Sequence, residues 1–138
     1  MKAKAVLTPH PGEYKRLFKN NVSSDEKARK QAALKVARRY NVVCVLKGAR
    51  TVVADASGKV YVNATGNPGL ATGGSGDILT GIIAAFIGQK LPLFNAAKLG
   101  CFIHGLTADL VRKKTGETAL IPTDVLEYLP AAFKKLGL

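Results

Sequence analysis

The chain has 138 residues, 47% hydrophobic and 22% charged, the composition of one ordinary globular domain with enough apolar side chain to bury a core. Its longest apolar run, Ile78 to Gly88, lies between Asp77 and Lys90 and is too short to span a bilayer, so no membrane partner is expected. The net charge of +12 is unevenly placed, with 13 Lys/Arg against Glu13, Asp25 and Glu26 in residues 1–50, but no aromatic interleaving or RNA-binding signature accompanies it and nucleic acid is not an expected partner.

From the amino terminus, Lys2 to Thr8 reads as a short strand that ends in Thr8-Pro9-His10-Pro11-Gly12-Glu13. Each proline holds the residue before it out of the helical region, which makes a stiff loop at the carboxyl end of a strand, where open α/β sheets place ligands. Pro11 suits the first turn of a helix through Phe18. His10 is either a ligand contact or a plain loop residue. Ser23-Ser24-Asp25-Glu26 predicts a capping box with Ser23 as cap, and the helix behind it runs to about Tyr40. Ala33, Val36, Ala37 and Tyr40 give that helix its core face, while Lys27, Lys30, Arg38 and Arg39 form a solvated outer face that absorbs most of the excess charge.

Asn41 ends the helix, and Val42 to Leu46 is a continuous apolar run suited to a buried strand. Lys47-Gly48-Ala49-Arg50-Thr51 follows at its carboxyl end, where an ammonium and free N–H groups can meet a phosphate, or where Lys47 is only a charged turn residue. Thr51–Asp55 and Lys59–Asn63, joined by Ala56-Ser57-Gly58, predict a hairpin. Ile78 to Ile87 is apolar almost all round and predicts a buried helix stopped by Gly88. Pro92 begins the next helix, with Ala96, Leu99, Ile103, Leu106, Leu110 and Val111 as its core face; His104 falls there as a core histidine and Asp109 as a surface residue. Pro122 opens a last helix through about Lys135. Cys44 and Cys101 lie in apolar surroundings and read as buried free thiols of a reducing cytosol; with no apolar run after Met1, no signal peptide is expected and the protein is placed in the cytoplasm.

The chain is organised around Thr65 to Gly88, which holds seven of the 14 glycines. A glycine-dense loop feeding a helix offers unpaired N–H groups and the positive end of a helix dipole, an anion site most often used for phosphate. Gly73, Gly74, Ser75 and Gly76 are the candidate anion loop. A carboxylate beside a bound phosphate would repel it, so Asp77 at the mouth suggests a general base or a metal-linked role; alternatively it is an N-cap and the loop a tight turn. The run is neither a Walker A motif nor G-x-G-x-x-G, since no Gly-Lys-Ser/Thr follows and Leu79 stands where a third glycine would be.

The run Asn-Pro-Gly-Leu-Ala-Thr-Gly-Gly-Ser-Gly-Asp-Ile-Leu-Thr-Gly resembles the signature of the ADP- or ATP-dependent NAD(P)H-hydrate dehydratases of the ribokinase-like superfamily. His-Pro-Gly-Glu and Lys-Gly-x-x-Thr match the same family independently. The resemblance implies an α/β fold, the ribokinase-like three-layer α/β/α arrangement with a mostly parallel sheet and a β-hairpin. Residues 1–138 correspond to the carboxyl-terminal portion of that domain, so either the chain is a fragment or the missing half is expected from a homo-oligomer or a second chain. The resemblance implies that His10 and Asp77 bind hydrated NADH or NADPH. Lys47, Gly48, Ala49, Arg50, Thr51 and Gly76 would bind ADP or ATP with Mg2+, and Asp77 would be the catalytic base. No metal-ligand cluster is seen. The three loops are expected to converge on one cleft. A ribokinase-like vitamin-precursor kinase and a non-catalytic nucleotide-binding half-domain are the alternatives.

Overall fold

The computed structural model describes residues 5–138, so the first part of the strand expected from Lys2 lies outside the described residues. What remains of it is β1 (Val6–Leu7), followed by α1 (Pro11–Phe18), α2 (Glu26–Tyr40), β2 (Val43–Leu46), β3 (Val52–Ala54) and β4 (Val60–Val62). A 3-10 turn at Pro68–Leu70 precedes α3 (Ser75–Gly88), α4 (Leu93–Thr115) and α5 (Pro122–Lys135). The chain forms two compact units: residues 1–63 with 92–98, and residues 64–91 with 99–138.

The first unit holds a four-stranded sheet in the order β1-β2-β3-β4. Val6 and Leu7 pair in parallel with Val43 and Cys44, whereas β2–β3 and β3–β4 are antiparallel. Among the described strands the sheet is therefore mixed rather than mostly parallel, because the hairpin contributes an antiparallel pair and its first strand turns straight back on β2. The α/β class itself holds. Register places Cys44 beside Ala54 and Leu46 beside Val52 on one face, where they form a core with Tyr14 of α1 and Ala33, Val36 and Ala37 of α2. Val43, Val45 and Val53, on the alternate positions, are buried as well, the reason this segment reads as an unbroken apolar run. At the hairpin turn Asp55 Oδ1 accepts from the N–H groups of Ser57 and Lys59 and from the Ser57 hydroxyl, an Asx-type closure that frees the chain to reverse.

The helix boundaries follow local chemistry. Asn41, left-handed at φ 51°, ends α2 as expected. The cap at its start is Asp25, whose carboxylate accepts from Ala28 N at 2.9 Å; Ser23 instead accepts from Asp25 N, two residues too early to cap the helix. Glu26 is thereby free of a capping box and pairs with Lys30 and Arg50. Tyr40 is half exposed rather than core and stacks on Phe18, with ring centroids 5.5 Å apart.

In the second unit α3 is buried along Leu79, Ile82, Ile83 and Phe86, and Phe86 meets Phe133 of α5 edge-on. The opposite side, with Asp77, Thr80, Gly81, Ala84, Ala85 and Gly88, is exposed, so the helix is not buried all round: apolar content came from small residues that carry little area. Ala108, Val111, Leu120 and Val125 form the core between α4 and α5, with Leu70, Ile78 and Tyr128 against it. On α4 Ala96, Ile103 and Val111 are buried as expected, together with Cys101, His104, Thr107 and Ala108, whereas Leu99, Leu106 and Leu110 are only half-buried. Among the described residues no helix is long and apolar enough to cross a membrane.

Candidate active site

In the first unit the loop after β1 becomes the cap of α1. His10 is the N-cap, its Nδ1 accepting from Gly12 N at 3.0 Å and Glu13 N at 3.1 Å, and Glu13 returns the bond by accepting from His10 N at 2.7 Å. This is a capping box with histidine in place of serine. Because Nδ1 accepts, the ring proton lies on Nε2, at the half-exposed edge of the side chain. Glu13 also stands 3.6 Å from His10 Nε2 and 3.6 Å from Lys47 Nζ, while Lys47 N donates to Pro9 O at 2.9 Å. The His10 hydrogen bond, and then Lys47 and His10 nearby, hold the Glu13 carboxyl below its usual range against a partial desolvation. The structure thus joins two of the expected site residues, His10 and Lys47, through a third that the sequence reading had left as part of a motif.

The turn after β2 has a specific backbone arrangement. Arg29 of α2, 8% exposed, sends Nη2 to the carbonyls of Leu46 (3.1 Å) and Lys47 (3.2 Å), and Nη1 to those of Ala49 (2.5 Å) and Arg50 (3.4 Å). Thr51 Oγ1 donates to Gly48 O at 3.0 Å. In a trans peptide the N–H points opposite to the preceding carbonyl, so turning the carbonyls of Lys47, Ala49 and Arg50 inward turns the N–H groups of Gly48, Arg50 and Thr51 away from Arg29. Gly48, Ala49 and Arg50 are exposed on that side. Gly48 has φ +149°, and a Cβ there would stand 2.8 Å from Arg29 Nη2; the guanidinium's approach requires glycine. Arg50, itself left-handed at φ 55°, extends its side chain to Glu26 at 2.9 Å. Arg29 was missed, although it continues the core spacing of Ala33, Val36 and Ala37 by one turn, a charged residue in register with an apolar face.

In the second unit the glycine loop enters α3 earlier than the apolar pattern suggested. Gly74, at φ 91°, is the N-cap, so Ser75, Gly76 and Asp77 are already the first three helical residues. Asp77 is therefore not the cap; it stands exposed in the first turn, its N–H donating to Gly74 O at 3.1 Å. Gly73 has nothing within 4 Å of where a Cβ would lie, which leaves the loop's outer side open. Ser75 behaves differently from its neighbours: it is buried, its N–H donates to Thr72 O at 3.3 Å, and its Oγ lies 3.3 Å from His104 Nε2. His104 is the core histidine expected, here holding the first residue of α3. The loop upstream is fastened to α4. Thr65 Oγ1 donates to Phe102 O at 2.8 Å, and the Asp109 carboxylate accepts from Gly66 N and Asn67 Nδ2, both at 2.9 Å. Asp109 is half-buried and a loop anchor rather than the surface residue expected, a role invisible in sequence because its partners lie some forty residues away.

Comparison with known proteins decides the family. The profile of the NAD(P)H-hydrate dehydratases matches residues 1–131. The chain belongs to the NAD(P)H-hydrate dehydratase family. The bifunctional NAD(P)H-hydrate repair enzyme Nnr of Moorella thermoacetica is 47% identical over 131 residues, 95% of this chain and 25% of its own length. The ADP-dependent (S)-NAD(P)H-hydrate dehydratase of Neisseria meningitidis serogroup B is 42% identical over 114 residues, 83% of this chain and 38% of its own. The ADP/ATP-dependent NAD(P)H-hydrate dehydratase of Bacillus subtilis, co-crystallised with ATP and Mg2+, superposes with a TM-score of 0.88 at 35% identity, covering 94% of this chain and 47% of that one. The dehydratase fold is ribokinase-like α/β, as a further neighbour from Enterococcus faecalis, a ribokinase-like superfamily protein, also indicates at a TM-score of 0.77. The chain thus spans about a quarter of the bifunctional relatives and about half of the solved dehydratase structures it matches.

Proposed function

We propose that this chain carries the nucleotide and catalytic loops of an ADP- or ATP-dependent dehydratase that returns hydrated NADH or NADPH to the intact cofactor. One observation carries the reading: in a chain of this family, an open glycine loop delivers Gly76 and the exposed Asp77 to the first turn of α3. His10 contacts the hydrated nicotinamide through Nε2, the nitrogen its capping bonds leave for donation. Lys47 to Thr51 hold the nucleotide through the Lys47 ammonium and the outward N–H groups of Gly48, Arg50 and Thr51. The loop Gly73, Gly74, Ser75 and Gly76 receives the transferring phosphoryl by the backbone of its glycines, a positioning and electrostatic task, while Ser75, its N–H given to Thr72 O, holds the loop in place. Mg2+ enters with the nucleotide, whose phosphates supply the oxygens this ion prefers alongside one or two carboxylates.

Asp77 takes the proton of the 6-hydroxyl as its oxygen attacks the terminal phosphoryl of the nucleotide, which leaves one phosphate shorter. The ring nitrogen then expels phosphate from carbon 6, and loss of a proton from carbon 5 restores the ring double bond. Replacing Asp77 by Asn keeps shape and removes the base, so kcat should fall about 10²- to 10⁴-fold with little change in either KM. The assay follows absorbance of the restored dihydronicotinamide. Turnover within a few-fold of wild type would sink the assignment.

A further inference from the structure

We propose that Arg29 is the positioning residue of the nucleotide turn: its buried guanidinium gathers the carbonyls of Leu46, Lys47, Ala49 and Arg50 on one side, so that the N–H groups of Gly48, Arg50 and Thr51 present themselves to a phosphate-bearing ligand on the other. The inference rests on the reading of Lys47–Thr51 as nucleotide-binding and adds to it a residue that touches no ligand.

Three observations converge on it. The guanidinium is bonded to carbonyls and to no carboxylate, because the nearest acid, Glu26, is held by Lys30 at 2.8 Å and by Arg50 Nε at 2.9 Å. A positive charge therefore lies buried directly behind the N–H face, bonded to carbonyls with the Glu26 carboxylate nearby, and adds to the pull on an anion in front. The planar fork reaches four oxygens at once, which an ammonium on a flexible stem does not reproduce. Gly48 is matched to the arrangement: any Cβ would drive into Arg29 Nη2, so the turn and the arginine fit only as a pair. Arg50 completes the cage. Its left-handed backbone is held at the carbonyl by Arg29 and at the side chain by Glu26, both from the first turns of α2.

A merely structural arginine and a positioning one differ in what they move. In the full-length protein, Arg29→Lys should raise KM for ADP and ATP about tenfold or more while KM for hydrated NADPH stays within about twofold. Loss of kcat or of folded yield with both KM values unchanged would make Arg29 structural and overturn the proposal. A second measurement needs no variant. Amide exchange at Gly48, Arg50 and Thr51 should be fast in the wild-type protein and slow when ADP is added, and amides that stay equally fast would overturn the outward N–H face. If the wild-type protein shows neither nucleotide saturation nor protection, the nucleotide reading itself falls and this inference with it. Saturation and protection with an unchanged Arg29→Lys KM remove Arg29 alone.

Discussion

Asp109 offers a demanding test of how the glycine loop is held. Its carboxylate accepts two hydrogen bonds, from Gly66 N and Asn67 Nδ2, each 2.9 Å long and each crossing from the 65–70 loop to α4. Hydrogen bonds to a charged acceptor contribute about 1.5–3 kcal/mol apiece, and the half-buried position points to the lower end, so Asp109→Ala should cost about 3 kcal/mol. For a domain of this size that is a fall of roughly 10 °C in the thermal midpoint. Asp109→Asn keeps one oxygen and turns an amide N–H₂ toward the other donor, so it should lose about half as much. Asn67 also accepts from Gly69 N through its own Oδ1, so a cycle of Asp109→Ala and Asn67→Ala separates the cross-loop bond from the local one. The cycle should return a coupling of about 1 kcal/mol or more in urea melts. A single-variant loss below about 1 kcal/mol together with a coupling near zero would refute the idea that this carboxylate fastens the loop.

Two other expectations concern groups with shifted titration. The Glu13 carboxyl is held below its ordinary value of 4.5, mainly by the His10 N–H, so its stabilisation is complete above that value and is lost as pH falls through the lower folded one. With the side chain 41% exposed, water screens the gain to on the order of 0.5 kcal/mol; wild type and Glu13→Gln should differ at neutral pH and converge as acid protonates Glu13 in the folded protein, followed in thermal melts. Burial pushes the thiols of Cys44 and Cys101 up to about 12, so neither is a thiolate at pH 8 and alkylation should proceed only as fast as the protein opens. Rapid modification of the folded protein at either position would contradict that burial.

Much of the architecture was legible because local chemistry and tertiary packing agree there. The Val42–Leu46 run, the Asn41 stop, the Asp55–Lys59 turn and the Pro122 start each owe their form to residues within a few positions. Errors fell where two neighbouring caps compete, or where a partner far along the chain decides. Ser23 has the spacing of a cap, yet Asp25 is one residue from the helix and takes the bond. Asp109 looked like any polar residue on a helix until its partners at Gly66 and Asn67 came beside it. The glycine loop and Asp77 were visible as a motif, but that Gly74 is the cap, and Asp77 part of the helix, depends on a backbone angle that composition does not print. Arg29 was the most informative omission. Its spacing belonged to the core, and charge alone had assigned its neighbours to solvent.

The spatial order of the sheet equals its chain order, and that sets how the first unit assembles. Strands β2, β3 and β4 meet through two short connections, so their loop-closure cost is small, whereas β1 reaches β2 only after the whole of α1 and α2 has been traversed. The meander should therefore form early in folding, carrying the Lys47–Thr51 turn within its first connection. His10 and Glu13 ride on the segment that docks late. The hydrogen bond from Lys47 N to Pro9 O is then a seam closed near the end of the reaction, and local opening of the native protein should part it before it disturbs the hairpin.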